Sequence, residues 1–242
     1  MAGRTGHRAT AVTTSHTSNI AFAGLTAAGK TTHAKRLADE LGYQYVSATE
    51  ILLEILGIEQ TGESVWLTRL GETNAARSNG SVDAELEERL VSLNRTRQRT
   101  VFDTWALAWI GDSPLLRIWI ESDLESRVRK CLVSQGDRRT SPDRCRSLLD
   151  EKDSFNRQLF QRRHGFDLFT DRHRYDAVLD NSHLIPNPTE SAARSGIEAF
   201  APVIHAVATC VMADDQAEAE RLIQTHPQEV RRITLPSRPQ PR

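Results

Sequence analysis

Eight residues near the start of the chain, Gly24-Leu25-Thr26-Ala27-Ala28-Gly29-Lys30-Thr31, fill every fixed position of Gly-x-x-x-x-Gly-Lys-Ser/Thr. Each fixed position has a chemical reason. Glycine freely takes positive φ, so the backbone can wrap tightly around an anion. The amides from Ala27 to Thr31 then point inward, and the N-terminal end of the following helix adds partial positive charge. Lys30 supplies a mobile cation between β- and γ-phosphates, and the Thr31 hydroxyl is a magnesium ligand. The flanks agree. Ile20-Ala21-Phe22-Ala23 reads as a strand entering the loop, while Ala34, Leu37, Ala38 and Leu41 leave it at helical spacing, closed by Gly42. A nucleoside triphosphate site over Gly24, Thr26, Ala27, Ala28, Gly29, Lys30, Thr31 and Thr32 is expected.

Working outward, further short apolar runs surround Tyr45-Val46, Thr100-Val101-Phe102 (ending on Asp103), Leu115 to Ile120 and Tyr175 to Leu179. Runs this short, β-branched or aromatic, are typical of buried parallel strands. Helical patterns separate them. Ser122 with Glu125 forms a capping box ahead of Leu124, Val128 and Leu132, and Ser141-Pro142 opens a long charged helix running toward Gly165. The alternation predicts an α/β fold: a doubly wound, parallel, five-stranded sheet with helices on both faces. Residues 1–17 read as a disordered tail, 18–212 as the core, and 213–242 as a C-terminal helix and flexible tail. Within the core, Ile197, Phe200, Val203, Ile204 and Val207 stripe a helix over 188–212 that should pack on the sheet. The polar, glycine-punctuated stretch 58–82 is suited to an acceptor-side insertion or an ordinary surface loop.

Composition excludes several classes. Of 242 residues, 31 are Lys or Arg and 32 Asp or Glu, a net charge of -1, so bulk charge draws the chain to neither nucleic acid nor membrane. No run approaches the roughly 18 apolar residues of a membrane span, and the polar N-terminus lacks the apolar stretch of a secretory signal. Cys131, Cys145 and Cys210 are odd in number and form no Cys-x-x-Cys, which fits free thiols in a reducing cytoplasm. His164, His173 and His183 lack metal-ligand spacing and read as solvent-exposed. No Asn-Lys-x-Asp guanine-reading motif follows the phosphate loop.

Over roughly residues 19–184 the chain resembles the cytidylate kinase-like branch of the nucleoside monophosphate kinases. Besides the phosphate loop, the stretch 47–54, Ser-Ala-Thr-Glu-Ile-Leu-Leu-Glu, resembles the family's Ser-Ala-Gly-Asp helix start, and 101–109, Val-Phe-Asp-Thr-Trp-Ala-Leu-Ala-Trp, a strand ending in Glu-Gly-Arg-Leu-Ala-Gly-Trp. Lys152-Asp153 with Arg157, then His164-Gly165-Phe166-Asp167 and the stretch 175–180, resemble the family's basic lid helix, turn and last strand. The resemblance implies a P-loop kinase fold with a helical lid over 138–165, ATP as phosphoryl donor with Mg2+, and a small-molecule acceptor. Lys152 and Arg157 match lid positions, so the catalytic set implied is Lys30, Asp103, Lys152 and Arg157, with Thr31 and Asp103 toward the metal. A nucleotide-binding regulatory protein without acceptor chemistry is the competing class.

Two departures concern the acceptor. Leu53 stands where relatives place an arginine in the acceptor helix, and Trp105 where they have the arginine of Glu-Gly-Arg. Both arginines normally hold the acceptor's phosphate. A dianion in a closed pocket needs paired cations, and Arg69 and Arg77 are candidates to compensate. The acceptor is therefore either CMP-like, by resemblance, or less anionic, such as a hydroxyl on a nucleoside or other metabolite. The acceptor site is expected over Glu50, Leu53, Trp105 and Trp109, with Glu50 or Asp103 as general base and the tryptophans as stacking platforms.

Overall fold

Among the described residues six short strands, β1 (Asn19–Gly24), β2 (Gln44–Ser47), β3 (Thr100–Asp103), β4 (Leu115–Glu121), β5 (Ala177–Asp180) and β6 (Val230–Ile233), form one sheet in the order β2-β3-β1-β4-β5-β6. The computed structural model describes residues 18–59, 69–112, 114–136 and 140–236. The expected tail 1–17, the stretch 60–68 of the insertion, and the chain end 237–242 lie outside the described residues. The central strand β1 (Asn19–Gly24) is buried throughout, flanked in parallel by β3 (Thr100–Asp103) and β4 (Leu115–Glu121). Outside these lie β2 (Gln44–Ser47) and β5 (Ala177–Asp180), also parallel.

The sixth strand corrects the expected count. Part of the charged segment after residue 213 is helical, α9 (Gln216–Thr225), but β6 (Val230–Ile233) returns antiparallel onto β5. Val230 is buried in the core while Arg231 pairs with Asp180 at 2.9 Å and Arg232 donates to the carbonyls of Arg172 and Tyr175. An edge strand carrying charge is protected against pairing with other chains. Four residues of mixed polarity carry no strand signal without the β5 edge beside them.

Strand periodicity splits the core in two. Ile20 and Phe22 face α1 (Lys30–Leu41) and α8 (Glu190–Ala213), meeting Leu37, Phe200 and Val207. Ala21 and Ala23 face the opposite layer, with Phe102, Trp119 and residues of α4 (Ser81–Thr96) and α5 (Leu107–Ile110). Helices on both faces of a parallel core are the expected doubly wound arrangement. Helix α8 is 24 residues long and apolar enough to cross a membrane by length and composition, contrary to the sequence reading, but half of its most apolar window is buried in the fold.

Two more helices bracket the site. In α6 (Leu124–Gln135) the cap is Asp123, which accepts from the Ser126 amide at 2.6 Å, one residue on from the expected Ser122. Ser122 instead accepts from Lys130. Ser141 caps α7 (Pro142–His164) as read, and Gly165 ends it in the left-handed region. Residues 138–139, at the start of the expected lid, lie outside the described residues. All three cysteines are free and buried. His173 and His183 are exposed, whereas His164 is half-buried beside Glu87, at 2.8 Å.

Candidate active site

Open α/β sheets bind ligands beyond the carboxyl ends of the strands, where strand order diverges. Here β1 is that point, and its end runs directly into the phosphate loop. Gly24 has φ 154°, and a Cβ there would stand 2.6 Å from the Ile120 carbonyl of β4, so no larger residue fits. Gly29, at φ 93°, turns the chain into α1. Asn181, just past β5, ties the loop down by donating to the Ala28 carbonyl at 2.9 Å, and itself accepts from Lys130 at 2.5 Å.

The loop's reactive side chains converge. Thr31 Oγ1 donates to Asp103 Oδ2 at 2.5 Å. Lys30 Nζ donates to the Leu25 carbonyl at 3.0 Å and lies 5.0 Å from the Trp105 ring centroid. Burial lowers the Lys30 pKa, with Asp103 and Asp153 opposing the shift. Among the described residues, no group of three His, Cys, Asp or Glu side chains could cage a metal. The Thr31 and Asp103 oxygens nevertheless fit magnesium, which takes one or two protein oxygens and completes its shell with water and phosphate.

Helix α7 is docked onto the loop. Asp153 accepts from the Thr26 amide at 3.0 Å and from Arg127 at 2.5 Å, and Arg127 also donates to the Thr26 carbonyl. Lys152, Asn156 and Phe160 line the cleft at helical spacing. Burial pushes the Lys152 ammonium down to about 7, and the nearby Lys30 and Arg77 charges act the same way. Arg157 stands elsewhere: it pairs with Asp167 at 2.5 Å, sits over the Phe169 ring and lines no part of the cleft. Five residues of helix turn it about 140° from Lys152. Of its expected substitutes, Arg162 is exposed and Arg163 is engaged by Glu87 at 2.6 Å.

The cleft has a volume of about 690 Å³ and continues past the phosphate loop. Helix α2 (Ala48–Ile55) enters it with the Glu50 amide bonded to Ser47 Oγ, and both Glu50 and Leu53 line the wall. Opposite are α3 (Leu70–Arg77) and α4, contributing Leu70, Thr73, Leu86 and Leu90. Trp105 donates its indole N–H to the Gly24 carbonyl and meets Phe160 edge-on, at 6.0 Å between centroids. Trp109 is core rather than platform. It stacks on Phe166 at 4.1 Å with rings 4° from parallel, receives Arg174 over its face, and lies outside the cleft lining.

Of the two arginines offered as compensation, Arg69 pairs at the surface with Glu72. Arg77 does reach inward and is the one arginine among the described cleft-lining residues. Its charge is already matched. Asp83 accepts from Nη2 at 2.7 Å and from Nε at 3.1 and 3.2 Å, and Asn156 accepts from Nη1 at 3.2 Å.

The profile of the cytidylate kinase-like family matches residues 19–183. The chain belongs to the cytidylate kinase-like family. Its relatives include proteins named cytidylate kinase from Natronomonas pharaonis, 24% identical over 76% of this chain and 91% of that one, and from Methanopyrus kandleri, 25% identical over 74% and 92%. A shikimate kinase from Bacteroides thetaiotaomicron is similar in structure over 77% of this chain and 98% of its own, with a TM-score of 0.49 and 13% identity.

This cytidylate kinase-like protein is a phosphotransferase of the nucleoside monophosphate kinase type, on a P-loop kinase fold. Several of its cleft residues escaped the sequence reading. Lys130 and Asn181 line the cleft beside the phosphate loop, and Arg127 backs the loop. The i, i+3 basic pair Arg127 and Lys130 after β4 was an available signal. Residues beyond the family match also contribute, because α8 places Ala193, Gly196 and Ile197 on the cleft wall. Gly196 permits this: a Cβ there would stand 2.6 Å from the Leu184 carbonyl.

Proposed function

We propose that this enzyme transfers the γ-phosphoryl group of ATP to a hydroxyl on an uncharged nucleoside or similar metabolite, rather than to the phosphate of a nucleoside monophosphate. The observation that carries the reading is the Arg77–Asp83 pair. The one guanidinium among the described residues of this wall is neutralised by a carboxylate at 2.7 Å, both partners being buried. A phosphate dianion would have to displace Asp83 or lie beside it, and either costs several kcal/mol. The other lining supports the same conclusion. Leu53, Leu70, Leu86, Leu90 and the face of Trp105 suit a flat, largely apolar body.

In this reading the phosphate-loop amides and Lys30 hold the triphosphate, and Lys152, lining the same cleft, takes up its proton and positive charge as the phosphates bring negative charge beside it. Thr31 and Asp103 would hold Mg2+, which when bound neutralises β- and γ-oxygens. Glu50 is exposed at the start of α2 on the cleft wall, and serves as general base. The acceptor hydroxyl gives its proton to Glu50, its oxygen bonds to the γ-phosphorus, the bond to the β-phosphate oxygen breaks, and ADP leaves.

The test is ADP release from ATP and Mg2+ with CMP, dCMP, cytidine and a panel of neutral hydroxyl metabolites, each run beside Lys30→Ala. Lys30-dependent turnover that favours neutral acceptors supports the proposal. Fast turnover of CMP overturns it and returns the acceptor to the kind named for the relatives.

A further inference from the structure

Tyr45 is the one phenol lining the cleft among the described residues. It lies on β2, two residues before Ser47, so both side chains fall on one face of the strand; Ser47 itself registers with Asp103 on β3. The Tyr45 hydroxyl donates to Asp103 Oδ2 at 3.3 Å, the same oxygen that Thr31 Oγ1 reaches at 2.5 Å. Lys35 Nζ lies over the ring, 5.1 Å from its centroid. Toward a carboxylate acceptor a phenol O–H can only donate, so the bond runs from Tyr45 to Asp103.

We infer that Tyr45 is a positioning residue for phosphoryl transfer, holding the Asp103 carboxylate in place beside Thr31. Asp103 ends its strand on a short side chain with two rotatable bonds. With Thr31 as the only donor, the carboxylate can swing about that single contact; a second donor from β2 fixes its plane. Preorganised groups accelerate transfer because no reorientation is needed as charge develops. The inference rests on the reading of this cleft as a phosphoryl-transfer site.

The test needs no acceptor. Slow MgATP hydrolysis to water reports the donor half, and electron paramagnetic resonance of Mn2+ with ADP reports metal binding without turnover. Wild type, Tyr45→Phe, Asp103→Asn, the double variant and Lys30→Ala are compared. Loss of a hydrogen bond to a charged group corresponds to a roughly ten- to hundredfold effect. Tyr45→Phe is therefore expected to lower kcat by about that factor, with KM for ATP within about twofold, and to weaken Mn2+ several-fold. The double variant should be no worse than Asp103→Asn alone, since two residues acting as one unit are not additive. Wild-type rate and Mn2+ affinity in Tyr45→Phe, or losses that multiply fully in the double variant, overturn the inference. If Lys30→Ala still hydrolyses ATP normally, the phosphoryl-transfer reading itself falls, and that outcome is distinct from a failure of Tyr45 alone.

Discussion

Replacing Asp83 with asparagine probes the acceptor wall most directly. The wild-type pair is almost out of solvent, with side chains 9% and 4% exposed, and is joined by three hydrogen bonds. Asparagine keeps the shape but removes the charge, leaving the Arg77 guanidinium buried with neutral acceptors only, Asn156 among them. Breaking a buried pair from one side costs about 3–5 kcal/mol, and the retained amide oxygen places this change at about 3. For a chain of this size each kcal/mol lowers Tm by about 2–4 °C, so a fall of roughly 6–12 °C is expected. The same change frees a cation on the acceptor wall. Binding of CMP should tighten at least several-fold, as isothermal calorimetry with CMP would read, while MgATP binding stays level. Urea unfolding gives the stability arm. A Tm within about 2 °C of wild type together with unchanged CMP binding would refute the reasoning, because Arg77 would then owe nothing to Asp83.

Asp153→Asn should loosen α7 from the phosphate loop: unfolding free energy drops by about 3 kcal/mol, and hydrogen exchange at the Thr26 amide, which Asp153 now accepts from, accelerates. Trp109→Ala should cost about 3–5 kcal/mol as a core truncation yet leave acceptor KM unchanged, since its ring is stacked on Phe166 and lines no part of the cleft. Burial lowers the Lys130 ammonium from 10.5 to about 7. Between those values the unfolded chain holds a proton that the folded one has released, so stability rises with pH from about 7 to about 10. The penalty is full below 7, and Lys130→Met should remove this part of the rise, read as the difference between the two urea-midpoint profiles.

Local chemistry made much of the enzyme legible before any packing was known. The phosphate loop is contiguous, and its glycines, lysine and threonine act through their own backbone and the adjoining helix end. The run Ile20 to Ala23 that enters it is short and apolar because both sheet faces are covered there. Asp103 was placed by its position at a strand end, while its meeting with Thr31, at 2.5 Å across 72 positions, is a tertiary contact. Where function depended on which way a side chain turned, sequence was silent. Lys152 and Arg157 are both basic and on one helix, yet only Lys152 faces the cleft. Trp105 and Trp109 are four residues apart and chemically identical, yet one bonds to Gly24 and the other stacks in the core.

The phosphate-binding chemistry and the α/β order were thus determined by the chain alone, since both arise from contacts between near neighbours and from strand and helix periods. The neutralised acceptor wall, the second donor on Asp103 and the sixth strand were decided only by tertiary structure. Arg77 and Asp83 are six positions apart but on different helices, and Asn156, 79 positions on, completes their site; Tyr45 meets Asp103 across 58 positions, and Arg231 meets Asp180 across 51. Charge cancellation and hydrogen-bond direction depend on distances of about 3 Å, and separation along the chain carries no information about them.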